Sequence, residues 1–141
     1  MSFADLCRPT TLDGVIGQPK AIARVRALIQ RTGFNGGAFL FTGPSGCGKT
    51  STARAICNDL GIGEMDQYVV EPRSCDVSIM READRFLHLH PFHPAGRFKA
   101  VLLDECHQAD RRARDFMLGM LDPLPPCAIV IGTSTEEYGG F

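Results

Sequence analysis

The chain has 141 residues, enough for one compact domain around one hydrophobic core. Its 44% hydrophobic and 22% charged residues are ordinary for a globular protein. No apolar run approaches the roughly 20 residues needed to cross a bilayer. A formal net charge of -1 argues against strong nucleic-acid binding by this chain alone, because such binding rests on surplus Lys and Arg.

The N-terminal stretch MSFADLCRPT has no basic region followed by an apolar one, so it does not read as a secretory signal. The expectation is a cytoplasmic protein with reduced thiols. Cys7, Cys47, Cys57, Cys75, Cys106 and Cys127 form no C-x-x-C pair, which leaves neither a zinc ribbon nor a redox motif.

Along the chain, residues 19–30 place Ile22, Val25, Leu28 and Ile29 on one helical stripe, with Pro19 suited to the first turn. AFLF (38–41) reads as a short buried strand running into a Gly-rich turn. A helix follows from Lys49 to about Leu60, with Ala53, Ile56 and Leu60 inward and Gly61 and Gly63 stopping it. YVVE (68–71) is a second strand. Asp76 is placed to cap a helix reaching about Leu89, with Ile79, Ala83 and Phe86 inward. AVLLD (100–104), wholly apolar until its carboxylate, is a strand buried on both faces. A helix from about Arg111 turns Phe116, Met117, Met120 and Leu121 inward and ends at Pro123, Pro125 and Pro126. AIVIGTS (128–134) is the fourth strand. Strands alternating with helices give the α/β class, a parallel sheet covered on both faces.

GPSGCGKT (43–50) fits G-x-x-x-x-G-K-[ST] between a strand and a helix, the context a phosphate-binding loop requires. Gly43, Gly46 and Gly48 let successive N–H groups turn inward around an oxyanion, with Pro44, Ser45 and Cys47 between them. The helix N-terminus, reached at Lys49, Thr50 and Ser51, adds positive potential there. Lys49 can reach β and γ phosphates, and Thr50 can coordinate Mg²⁺. Such a loop needs a neighbouring buried strand ending in carboxylates, and AVLLDE supplies one. Asp104 is the candidate Mg²⁺ ligand, and Glu105 the residue that orients the attacking water. The strand ending GTS offers Ser134 as the polar group sensing the γ-phosphate, with Thr133 its near alternative. Cys106 and His107 read as bystanders, a small buried hydrophobe and a loop histidine, because adjacent residues at a strand end point opposite ways.

Taken together these segments resemble a AAA+ ATPase of the clamp-loader type, in particular the bacterial DNA polymerase III gamma/tau subunit and replication factor C. The resemblance runs from RPTTLDGVIGQPKAI (8–22) through the phosphate loop, VVEPRSCDVSIMREADRFL (69–87) and AGRFKAVLLDECHQAD (95–110) to FMLGMLDPLPPCAIVIGTST (116–135). It implies a P-loop NTPase domain over residues 1–141, with ATP and Mg²⁺ as cofactors. Arg8, Pro9, Val15 and Ile16 would lie against base and ribose. The implied partners are other AAA+ subunits supplying an arginine finger, with a sliding clamp and primer-template DNA reached through the assembly, and no membrane.

The sequence departs from that pattern in two places. The family's four-cysteine zinc module has no counterpart, since only Cys57 and Cys75 fall between the phosphate loop and AVLLD, so no zinc is expected. No arginine follows Arg114, and nothing matches the family's fifth strand or helical lid. Slow hydrolysis in isolation and an open sheet edge at AFLF are expected. A nucleotide-binding scaffold with little hydrolysis, or a DExH-type helicase fragment suggested by DECH, are the competing readings. HLHPFHP (88–94), DRRARD (110–115) and the basic face of Lys20, Arg24 and Arg26 read as loop and solvated surface rather than as metal or DNA sites.

Overall fold

A computed structural model describes residues 19–42, 49–70, 76–92 and 96–134. Strands and helices alternate through them. They are α1 (Pro19–Ile29), β1 (Gly36–Thr42), α2 (Lys49–Asp59), β2 (Gln67–Val70), α3 (Val77–Leu87), β3 (Lys99–Leu103), α4 (Arg111–Met120) and β4 (Ala128–Ser134). Short 3-10 turns stand at Glu64–Asp66 and Cys106–Gln108. The sheet has the order β1-β4-β3-β2, and every pairing is parallel.

Parallel neighbours joined by helical crossovers need helices on the sheet faces, and the pleat sorts side chains between them. On one face Ala100, Leu102, Ile129 and Ile131 meet Val25 of α1 and Ala53, Ile56 and Cys57 of α2. On the other, Val101, Leu103, Ala128 and Val130 meet Met80, Ala83 and Leu87 of α3 and Ala113, Met117 and Met120 of α4. Every residue of β3 and β4 is buried. Helix starts are fixed by capping carboxylates. Asp76 accepts from the Ile79 N–H at 3.0 Å, and Asp110 from the Ala113 N–H at 2.7 Å. Each such cap contributes about 1 kcal/mol. Gly36, with φ 108°, opens β1 so close to β4 that a side chain would run into the Ala128 carbonyl.

Several expectations shift. β2 begins at Gln67 and β3 at Lys99, each one residue earlier than read, so Asp104 lies in the turn beyond β3. α3 stops at Leu87, and its buried stripe is Met80, Ala83 and Leu87, with Ile79 and Phe86 only half-buried. Leu28 is 45% exposed, because α1 meets the sheet through the narrow face of Val25 and Ile29. β1 is not a fully buried strand. It alternates half-buried and exposed residues, as an edge strand does. Phe39 and Phe41 turn toward α1 and α2, while Leu40 is 52% exposed. Among the described residues β1 stands at the end of the strand order, the open edge expected of AFLF.

A buried ion pair was not legible beforehand. Lys99 Nζ lies 3.2 Å from Asp66 Oδ1, with both side chains almost fully buried. The same Asp66 oxygen accepts from the Phe92 N–H at 2.6 Å, and the Lys99 ammonium stands 3.9 Å from the Phe86 ring centroid. Nearby charge, hydrogen bond and π-face together compensate the desolvation of both ions.

Two outcomes are expected. In sedimentation velocity the isolated chain self-associates through the apolar β1 edge, and Leu40→Lys shifts it toward monomer, since a charge on an edge strand blocks pairing. A monodisperse wild-type monomer would refute this. In urea denaturation Lys99→Met lowers stability by about 3–5 kcal/mol, the cost of stranding a buried partner charge, and Asp66→Asn in the same chain recovers part of it.

Candidate functional site

The site lies at the carboxyl edge of the sheet, where open parallel α/β sheets bind ligands. Register aligns that edge. Thr42, the last residue of β1 and the one before the phosphate-loop motif, pairs with Ser134. Leu103 pairs with Gly132, which brings Asp104 level with Thr133. α2 starts at Lys49, so backbone helix begins where the motif's lysine stands. Gly43, Pro44, Ser45, Gly46, Cys47 and Gly48 lie outside the described residues, as do Arg8, Pro9, Val15 and Ile16. For Lys49 and Thr50 the structure describes the helical backbone alone.

The acidic pair occupies a sharp corner. Asp104 N–H still points to Val70 O, at 3.4 Å, as β3 ends. Glu105 then adopts φ 49° and ψ 48°, the left-handed conformation. For a non-glycine residue this costs roughly 1–2 kcal/mol. The turn sends Cys106 back into the core, where it is buried with α3, α4 and β4. Gly132 makes room for it. A Cβ there would lie 3.3 Å from Cys106 Sγ and 3.2 Å from Leu40 Cδ1. Cys106 is thus the buried hydrophobe expected of it, and the anchor of the corner.

Thr133 holds the other side. Its hydroxyl donates to Asp104 Oδ1 at 2.7 Å and accepts from the Glu105 N–H at 3.0 Å. A bond to a carboxylate is among the stronger hydrogen bonds, and a net stabilisation of about 1 kcal/mol for the second offsets much of the left-handed strain. The structure therefore joins Asp104, Glu105 and Thr133. Ser134 is buried with partners of its own and stands across from Thr42. Chemically, Asp104 is a hard oxygen donor at the carboxyl edge of the sheet, the type of ligand Mg²⁺ takes one or two of beside phosphate oxygens and water.

Other candidates stay apart from this corner. His88 turns its Nδ1 back to Asp84 O at 2.8 Å, a local contact at the end of α3, and His90 is exposed. Arg24, Arg111 and Arg112 are exposed, while Asp110 in the charged cluster works as the cap of α4. Burial pushes the Cys57 thiol up to about 12, with nearby Arg54 opposing weakly, so Cys57 is an inert core group.

A parallel sheet wrapped by helices, with a strand-end acid pair at its carboxyl edge and a phosphate-loop motif in the sequence between β1 and α2, defines a P-loop NTPase of the α/β class. Residues 39–138 match the ATPase family associated with various cellular activities (AAA), and the chain belongs to that family. The replication factor C small subunit of Archaeoglobus fulgidus is 37% identical over 103 residues, covering 70% of this chain and 31% of the relative. That of Aeropyrum pernix is 28% identical over 125 residues, covering 86% and 38%. The chain thus spans about a third of the length of these curated relatives. Among solved structures, a RuvB variant of Thermotoga maritima matches with a TM-score of 0.67 at 19% identity, over 92% of this chain and 42% of that one. A DNA polymerase III gamma subunit-related protein from Thermotoga maritima gives 0.59 at 16%, over 80% and 38%. At these identities the structures show a shared fold.

A residue held in strain for function rather than stability has a recognisable signature. Glu105→Gly is expected to keep or raise stability in thermal melting, by about 1 kcal/mol, since glycine accepts the left-handed conformation without penalty. A marked loss of stability would show that the glutamate side chain holds the corner.

Proposed function

We propose that this chain is the ATP-binding and ATP-hydrolysing domain of a clamp-loader-type subunit acting in DNA replication. The observation that carries the reading is the corner at Asp104 and Glu105, wired to Thr133 at the carboxyl edge of the sheet, beside the strand that leads into GPSGCGKT. The replication factor C relatives, which cover more of the chain than the RuvB match of 59 residues, support the replication assignment.

In this reading the loop amides from Gly43 to Gly48 wrap the phosphates at the N-terminus of α2, where backbone N–H groups and the helix dipole favour negative charge. Lys49 neutralises the β and γ phosphates. Thr50 and Asp104 would hold Mg²⁺, which when bound supplies positive charge to offset that of the phosphates. Glu105 orients the attacking water. Ser134 keeps the assignment as the hydroxyl for the γ-phosphate, while the proton of Thr133 goes to Asp104. Arg8, Pro9, Val15 and Ile16 lie against the base and ribose.

Turnover in this reading draws on an arginine from a neighbouring AAA+ subunit, a contribution of roughly 10³–10⁵ in rate where such fingers operate. The sliding clamp and primer-template DNA are reached through that assembly, in the cytoplasm. Among the described residues no helix is long and apolar enough to cross a membrane.

The test separates binding from chemistry. Lys49→Ala abolishes ATP binding in calorimetry. Glu105→Gln keeps nucleotide affinity and removes phosphate release in an assembly that turns over. Unchanged affinity in the first variant, or lost binding in the second, would overturn the respective role.

A further inference from the structure

We infer that Thr133 is a positioning residue for this ATPase site, a hydroxyl latch that sets Asp104 and Glu105 rather than a sensor of the γ-phosphate. The inference rests on the ATPase reading for its functional meaning, and on geometry for its mechanism.

A threonine hydroxyl has one proton and two lone pairs. At Thr133 the proton goes to Asp104 Oδ1 at 2.7 Å, and one lone pair takes the Glu105 N–H at 3.0 Å. A γ-phosphate oxygen can only accept. Thr133 could donate to it only by releasing Asp104, which would free the carboxylate the metal needs held. The bond to Glu105 acts on the backbone, at the residue whose left-handed conformation turns the chain out of β3. A single buried oxygen on β4 therefore fixes both the rotation of one carboxylate and the direction in which the next leaves the chain. Its own position is fixed by β4, which is buried along its whole length, paired with β1 through Ser134 and with β3 as far as Gly132. The partners lie on different elements, so the latch makes the acidic pair depend on the β3–β4 register.

Two variants test this. Thr133→Val keeps the shape and removes the hydroxyl, and Thr133→Ser keeps the hydroxyl. Without nucleotide, hydrogen exchange at the Glu105 amide is expected to be slow in the wild type and the serine variant, and fast in the valine variant. With nucleotide, the valine variant loses about 10–100-fold in apparent Mg²⁺ affinity, the usual effect of removing a partner that orients a metal ligand. ATP affinity measured in EDTA stays unchanged, and the serine variant is restored. Fast exchange in the wild type, or slow exchange in the valine variant, would overturn the latch. So would equal Mg²⁺ loss in both variants, which would point to packing by the methyl group. A wild-type chain that binds no ATP would sink the ATPase reading while leaving the exchange measurement to decide the latch.

Discussion

β3 and β4 hold no residue at the surface, so their backbone N–H and C=O groups have no water to turn to and must be met by neighbouring strands. That requirement fixes the register between them, Lys99 with Ala128 through Leu103 with Gly132. A slip of one residue would carry Ala100, Leu102, Ile129 and Ile131 to the wrong face. Everything at the carboxyl edge inherits this register. Asp104 meets Thr133 because Leu103 meets Gly132, and Cys106 can fold back because the residue it meets on β4 has no side chain.

The sheet pays for its open site at its rim. β1 carries Phe39 and Phe41 toward α1 and α2, yet its other face and its outer edge are only partly covered. A shallow apolar hollow lies beside it, lined by Leu40, Cys106, Met117, Leu118 and Leu121. The opposite rim is treated differently. β2 has only four residues, and the neighbouring chain is tied down by Asp66, which gathers Lys99 and the Phe92 amide into one buried cluster. The two rims are thus held differently, β2 by a buried ion pair beside it and β1 by pairing with β4 from Gly36 to Thr42.

Much of this was legible in the residues. The strands announced themselves as apolar runs bounded by Gly and Pro, the order of strand and helix fixed the class, and the position of DE just past AVLL placed both acids at the end of a buried strand. The rest depended on quantities a sequence does not display. Two hydroxyls side by side in GTS point to opposite faces of a strand, so only one can reach Asp104, and the choice belongs to the β3–β4 register. The left-handed backbone at Glu105 follows from the need to bury Cys106 immediately after a half-buried acid, not from any propensity of glutamate. Asp66 and Lys99 are far apart in the chain, and each alone reads as surface. Leu28 satisfies the helical stripe, but α1 touches the sheet too narrowly to use it.

The corner also separates two of the chemically active residues that stand in a row, Asp104 and Cys106. Alternation along a strand would place Asp104 and Cys106 on the same side, a geometry suited to shared ligation. The left-handed step at Glu105 breaks that alternation. Cys106 goes into the core and Asp104 is turned to Thr133, so thiol and carboxylate are separated by backbone. The thiol then anchors the turn from below while the hydroxyl holds it from the side. Strain at Glu105 persists because both neighbours over-determine it. A glycine in its place would relax the turn, but it would also remove the carboxylate that follows Asp104.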